Sequence, residues 1–177
     1  MKLSIIPAFV CLTALVAPSL ATPTKFHERA KPNKCGPSGA HANGGPACSV
    51  SLDGTMVTCH SYTIGGVGNT NANEVLSATW TALVTCTNNG GKTVTVKTQA
   101  ASAPFSDHLV PNTNGQLTVD PLTAKEPSTA DFLAQASCPN PNWTKALQAG
   151  SPKFSSFLYT LTFVGFESCG PFITQAG

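Results

Sequence analysis

Six cysteines constrain this chain more than any other feature. Cys35, Cys48, Cys59, Cys86, Cys138 and Cys169 all follow an N-terminal segment that reads as a secretory leader. That segment opens on Met1-Lys2, runs apolar from Ile5 to Val16 broken only by Pro7 and Thr13, and ends in small residues at Ser19 and Ala21. A basic start, a short apolar stretch and a small-x-small close define a signal peptide, with cleavage expected after Ala21. The run is shorter than the roughly 20 apolar residues that span a bilayer. Cys11 lies inside it and would leave with it. An even set of six in a secreted chain implies three disulfides, each worth about 2–4 kcal/mol through restriction of the unfolded chain. Fifteen connectivities are open to six cysteines, and spacing alone does not choose among them. Structural zinc wants close pairs such as C-x2-C. The nearest neighbours here, Cys48 and Cys59, stand much farther apart, so no metal is expected.

Residues 22–29 (TPTKFHER) form a polar arm ending in Arg29, the only arginine, and read either as a propeptide or as a flexible N-terminal arm. The charge follows this division. The full chain carries a formal +2, yet from Ala30 onward seven lysines meet seven acids, so the excess belongs to the removable end. A balanced chain with dispersed lysines lacks the basic cluster that nucleic acid requires. The remainder, 30–177, has the length of one domain.

The pattern along that domain is that of an all-β protein, a disulfide-bonded sandwich or open barrel with long loops and at most one short helix. Ala30 to Pro46 is Gly/Pro/Asn-rich and reads as a loop. Met56–Ile64 is one expected strand. In Glu74–Thr87 the residues Ala78, Trp80, Ala82, Val84 and Cys86 share one face by period two, which marks a half-buried strand. Asn88-Asn89-Gly90-Gly91 is a hairpin signal, because Asn and Gly tolerate positive φ, and Lys92–Gln99 is the returning strand. Ala100–Asn114, with Pro104 and Pro111, is read as a long loop, and Gln116–Val119 as a short strand. Ser128–Ala136 predicts a helix with Ser128 as N-cap and Asp131 in the first turn. Trp143–Gln148 is a strand or a single helical turn. Phe157–Phe166 is a strand expected to be covered on both faces, and Phe172–Thr174 a final edge.

No catalytic motif organises the polar residues. The histidines of the domain are His41, His60 and His108; His60 points away from Cys59, and Asp107 adjoins His108 in the expected loop. Gly36-Pro-Ser38-Gly39 lacks the spacing of a nucleophile elbow. The acids are scattered, with no pair to suggest glycoside cleavage. Glu167 is the acid nearest an apolar strand, and a strand-end position in water is its simpler reading. Lys92 and Lys97 read as solubilising an edge. Asn142-Trp143-Thr144 is an N-glycosylation sequon. Trp80 falls on the apolar face and reads as core, whereas Trp143 is a candidate ligand contact able to stack on a sugar. These readings call for no catalytic residue and no cofactor.

The signal peptide, the arm ending in Glu28-Arg29, six later cysteines and Thr/Asn/Gly-rich strands together resemble the small secreted cysteine-rich proteins of filamentous fungi. That resemblance implies a monomeric, non-enzymatic effector or elicitor acting outside the cell, in the plant apoplast, on a host extracellular or cell-surface protein or on wall carbohydrate. It would induce cell death and immune responses. A small hydrolase of wall polymers built on His60 or His108, and a carbohydrate-binding module with Trp143 in its site, are the alternatives.

Overall fold

The structure, a computed structural model, describes residues 24–25 and 34–177. The expected signal segment 1–21 and, save for residues 24 and 25, the expected arm 22–29 lie outside the described residues.

The fold is organised around one strand. β6 (Ala72–Thr87) is long enough to take different partners along its two halves. On one side it pairs antiparallel with β12 (Lys153–Phe163) and then with β11 (Thr144–Leu147). On the other it pairs with β8 (Phe105–Leu109) and then with β7 (Thr93–Ala101). β13 (Ile173–Ala176) closes the sheet as an edge beside β12. The hairpin between β6 and β7 turns at Asn88–Lys92 as expected, with Gly91 at φ +79° and the Asn88 side chain accepting the Lys92 N–H. The expected loop at 100–114 is a correction: β7 runs on to Ala101 and a further strand, β8, lies on the lower half of β6. Pro104 merely ends one pairing and starts the next, since proline cannot donate to a ladder.

The opposing layer is a bent ribbon. β4 (Met56–Cys59) and β5 (Tyr62–Gly65) run beside β10 (Leu122–Lys125) and β9 (Leu117–Val119), with β3 (Cys48–Val50) outside β4 and β2 (His41–Asn43) outside β5. The expected single strand Met56–Ile64 is therefore broken at His60-Ser61, opposite Asp120-Pro121 on the partner ribbon. Pro121 has no N–H to give there, and the chain turns the corner between the two sheets at that point. A two-residue strand β1 (Thr24–Lys25) lies on the outer edge of β3.

The two layers enclose one core. From the large sheet come Leu76, Ala78, Trp80, Phe157, Tyr159, Leu161 and Phe163; from the ribbon come Val57, Tyr62, Ile64, Leu117, Val119 and Leu122. Trp80 is fully buried, and its indole N–H donates to the Gly54 carbonyl at 2.6 Å, latching the β3–β4 turn of the ribbon to the large sheet. The ribbon covers only one half of β6. The helix α1 (Thr129–Gln135) packs over β7, β11 and β6 and buries Phe132. Its capping box, with Ser128 and Asp131 satisfying each other's backbone N–H groups, is the one expected from sequence. At its other end Lys145, from β11, donates to the carbonyls of Leu133 and Ala136, which the helix cannot pair internally. β12 differs from expectation. Phe157, Tyr159, Leu161 and Phe163 are buried but Leu158 and Val164 are exposed, so only one face of the large sheet is covered there.

Three disulfides hold these parts: Cys48–Cys59 across β3 and β4, Cys86–Cys138 between β6 and the segment after α1, and Cys35–Cys169 between the N-terminal loop and the turn after β12. Near the last bridge Gly36 lies against Phe163, where a β-carbon would stand 2.7 Å from the ring. A non-reducing peptide map is expected to return these three pairs. Replacing Cys86 and Cys138 together by Ala is expected to cost about 3–4 kcal/mol in urea unfolding, since the bridge closes a 52-residue loop.

Candidate functional site

Two polar constellations stand out, at opposite ends of β6. The first is buried. Period two, carried back from Ala78 through Leu76, places Glu74 on the inner face, and its side chain is 0% exposed. Tyr159 donates its O–H to Glu74 Oε2 at 2.9 Å, and Tyr62, across the sandwich, lies 2.9 Å from the Tyr159 oxygen. Since the Tyr159 proton goes to the carboxyl, the proton of the second bond comes from Tyr62. Glu74 Oε1 has no hydrogen-bond partner among the described residues. Desolvation disfavours the carboxylate and pushes its pKa up to about 7. The Tyr159 hydrogen bond opposes this, and the charges of Asp107 and Asp120 add to it. The same burial raises both tyrosines. The sequence reading had pointed to Glu167 as the acid nearest an apolar strand. Glu167 is exposed, in keeping with its simpler reading as a strand-end residue in water, and is held low by backbone N–H groups, its own and that of Gly165.

The second constellation is open to solvent. Because β11 pairs antiparallel with the upper half of β6, with Thr144 opposite Thr87, the residues just before β11 meet the β6–β7 turn. The result is a cleft of about 330 Å3 lined by Asn88, Asn89, Gly90, Asn140, Asn142 and Trp143. Its walls are built by short backbone bonds. Asn140 Oδ1 accepts the Asn142 N–H at 2.9 Å and the Asn140 carbonyl accepts the Trp143 N–H at 3.1 Å, which folds the Cys138–Trp143 turn. Thr144 Oγ1 donates to the Thr87 carbonyl and ties the start of β11 to β6. The side-chain oxygens of Asn88 and Asn140 accept from backbone donors, and their NH2 groups make no hydrogen bond among the described residues, which leaves them as donors. The side chains of Asn89 and Asn142 make no hydrogen bond among the described residues. Trp143 is half-buried, in contrast to the wholly buried Trp80.

Four neutral amides and one indole make a site without a charge in its lining. Amides exchange hydrogen bonds with hydroxyl and acetamido groups, and an indole offers an apolar face with a polar edge. That chemistry suits a neutral polyhydroxylated ligand. The volume lies at the small end of ligand sites, which run roughly 300–1,000 Å3. The sequence had singled out Asn142 and Trp143; it read Asn88-Asn89-Gly90 only as a turn.

No family model matches the chain, and no curated protein or solved structure is significantly similar to it.

The structure does not bring the histidines together. His41 and His60 are exposed, on β2 and at the ribbon corner. The His108 ring bonds Asn73 Oδ1 at 2.7 Å and the Asn71 amide at 3.2 Å, while Asp107 Oδ1 accepts the His108 backbone N–H rather than facing the ring. Among the described residues no three His, Cys, Asp or Glu side chains are grouped as a metal would need, and no helix is long and apolar enough to cross a membrane.

The buried acid makes stability depend on pH. An unfolded chain releases the Glu74 proton above about pH 4.5, whereas the folded protein keeps it up to about pH 7. The stability is therefore full below pH 4.5, is lost as the pH rises to 7 and is flat above. The loss is on the order of 3 kcal/mol, or roughly 10 °C in Tm. Asp53, Asp131 and Glu167 are held below their ordinary range and act at lower pH. Glu74→Gln is expected to flatten the Tm profile between pH 4.5 and 7. A profile unchanged by that substitution would place the pH dependence elsewhere, Glu126 being the other acid raised by burial.

Proposed function

We propose that this chain is an extracellular, non-enzymatic protein of the effector or elicitor type, a secreted monomer that acts on a host partner in the plant apoplast. The observation that carries this reading is the set of three disulfides, which ties the N-terminal loop, the ribbon and the helix to the core. Such bridges form and persist in oxidising compartments and suit a domain that works among proteases. The leader-like N-terminus, the balanced charge of residues 30–177 and the resemblance to small cysteine-rich fungal proteins support the same reading.

Recognition then depends on a rigid surface. Purified protein infiltrated into leaves is expected to cause cell death and an oxidative burst, and reduced and alkylated protein to lose both. The double variant His60→Ala/His108→Ala is expected to keep the full response, because neither ring belongs to an assembled centre. Absence of any response across several plant species would remove the proposal. Loss of the response in the histidine variant would favour a hydrolase.

A further inference from the structure

The sequon and the cleft coincide. Asn142 lines the cleft itself, so a glycan attached to its amide starts inside a pocket formed by Trp143, Asn140 and the Asn88–Gly90 turn. We propose that Asn142 carries an N-linked glycan whose first sugars lie in this cleft, against Trp143 and the β6–β7 turn, so that the protein is the receptor for its own glycan. This rests on the secretory part of the proposed function, because N-glycosylation belongs to that route.

Four observations support the inference. Asn142 is exposed and its side chain has no partner among the described residues, so nothing competes for the amide nitrogen. The Asn140 turn fixes the backbone at the attachment point through the Asn142 and Trp143 N–H groups. The lining is uncharged, and the NH2 groups of Asn88 and Asn140 are donors for the acetamido carbonyl and hydroxyls of an N-acetylglucosamine. Covalent attachment makes the contact intramolecular, so even weak stacking on the indole is populated at a high effective concentration. The Thr144 hydroxyl, which the sequon needs, is committed to the Thr87 carbonyl in the fold. The seated glycan also covers the hairpin end where β6, β7 and β11 stop.

The two tryptophans make this measurable. Trp80 is 0% exposed, so acrylamide quenching of intrinsic fluorescence reports on Trp143. The full chain is expressed in a eukaryotic secretory host and compared as secreted, after trimming to a single N-acetylglucosamine, and as Asn142→Gln. Because the attached sugar is held at the indole, quenching is expected to rise about twofold in Asn142→Gln and to stay low in the trimmed protein. Trp143→Ala is expected to keep occupancy at Asn142 while the endoglycosidase releases its glycan several-fold faster. Thr144→Ala, which removes the sequon and keeps Asn142, serves if Asn142→Gln is not secreted. A secreted protein with Asn142 unoccupied, or with equal quenching with and without the glycan, overturns the proposal and leaves the extracellular reading standing. Failure to reach the medium removes both. Where the wild-type protein is secreted with Asn142 unoccupied, shielding of Trp143 by free diacetylchitobiose assigns the cleft to an external saccharide and overturns the proposal; in Asn142→Gln the same shielding is the expected result, since the cleft then takes in trans the sugars it otherwise holds.

Discussion

The alternation of side chains along β6 is the constraint from which the rest of the structure follows. A strand's residues point alternately to two faces, and β6 shares its hydrogen bonds with four other strands. Its even-numbered residues therefore define the inside of the whole large sheet. Ala72, Leu76, Ala78, Trp80, Ala82, Val84 and Cys86 are all buried, while Val75, Ser77, Thr79, Thr81 and Thr85 are only half-buried on the outer face. A one-residue slip against β12 would turn Trp80 to water and strand its indole away from the Gly54 carbonyl. Two covers were needed for so long an apolar face, and the chain supplies two: the bent ribbon below and the helix α1 above, the latter tied at Cys86 itself.

The same alternation forces a polar group inside. Glu74 has the parity of the core, so the fold carries a carboxyl where a hydrocarbon would cost nothing. A buried carboxylate is costly, and keeping its proton until about pH 7 is the less costly state. Tyr159 and Tyr62 satisfy one carboxyl oxygen through a chain of two hydrogen bonds that crosses from the large sheet to the ribbon. This polar bridge is specific where apolar packing is not, since it works only if the two layers meet in one register.

Much of this was legible in the residues. Period two identified the inner face of β6, Asn-Asn-Gly-Gly identified its hairpin, Ser128 and Asp131 identified the helix start, and Trp80 was readable as core. Glu74 was readable too, because its parity matches Trp80, although an acid at the mouth of a strand draws the eye as solvent-facing. β8 was hidden by Pro104 and Pro111 and by a sequence of exposed residues with no alternation; only its pairing with β6 makes Phe105–Leu109 a strand. The break at His60-Ser61 was equally silent, because it is imposed by Pro121 on the neighbouring ribbon strand rather than by the residues that bend.

By itself the sequence determined the class of the protein: six pairable cysteines, alternating strands, one capped helix and a sequon beside a tryptophan. These are local properties, set by backbone preference and side-chain chemistry within a few residues. Tertiary structure alone decided which cysteines pair, where the sheet divides and that the sequon opens into a cleft. Each of those depends on contacts between residues far apart in the chain, as when the pairing of Thr144 with Thr87 sets Asn142 and Trp143 against the turn at Asn88–Gly90. Strand pairing is a choice among many registers of similar local merit, and only the simultaneous burial of both layers selects one.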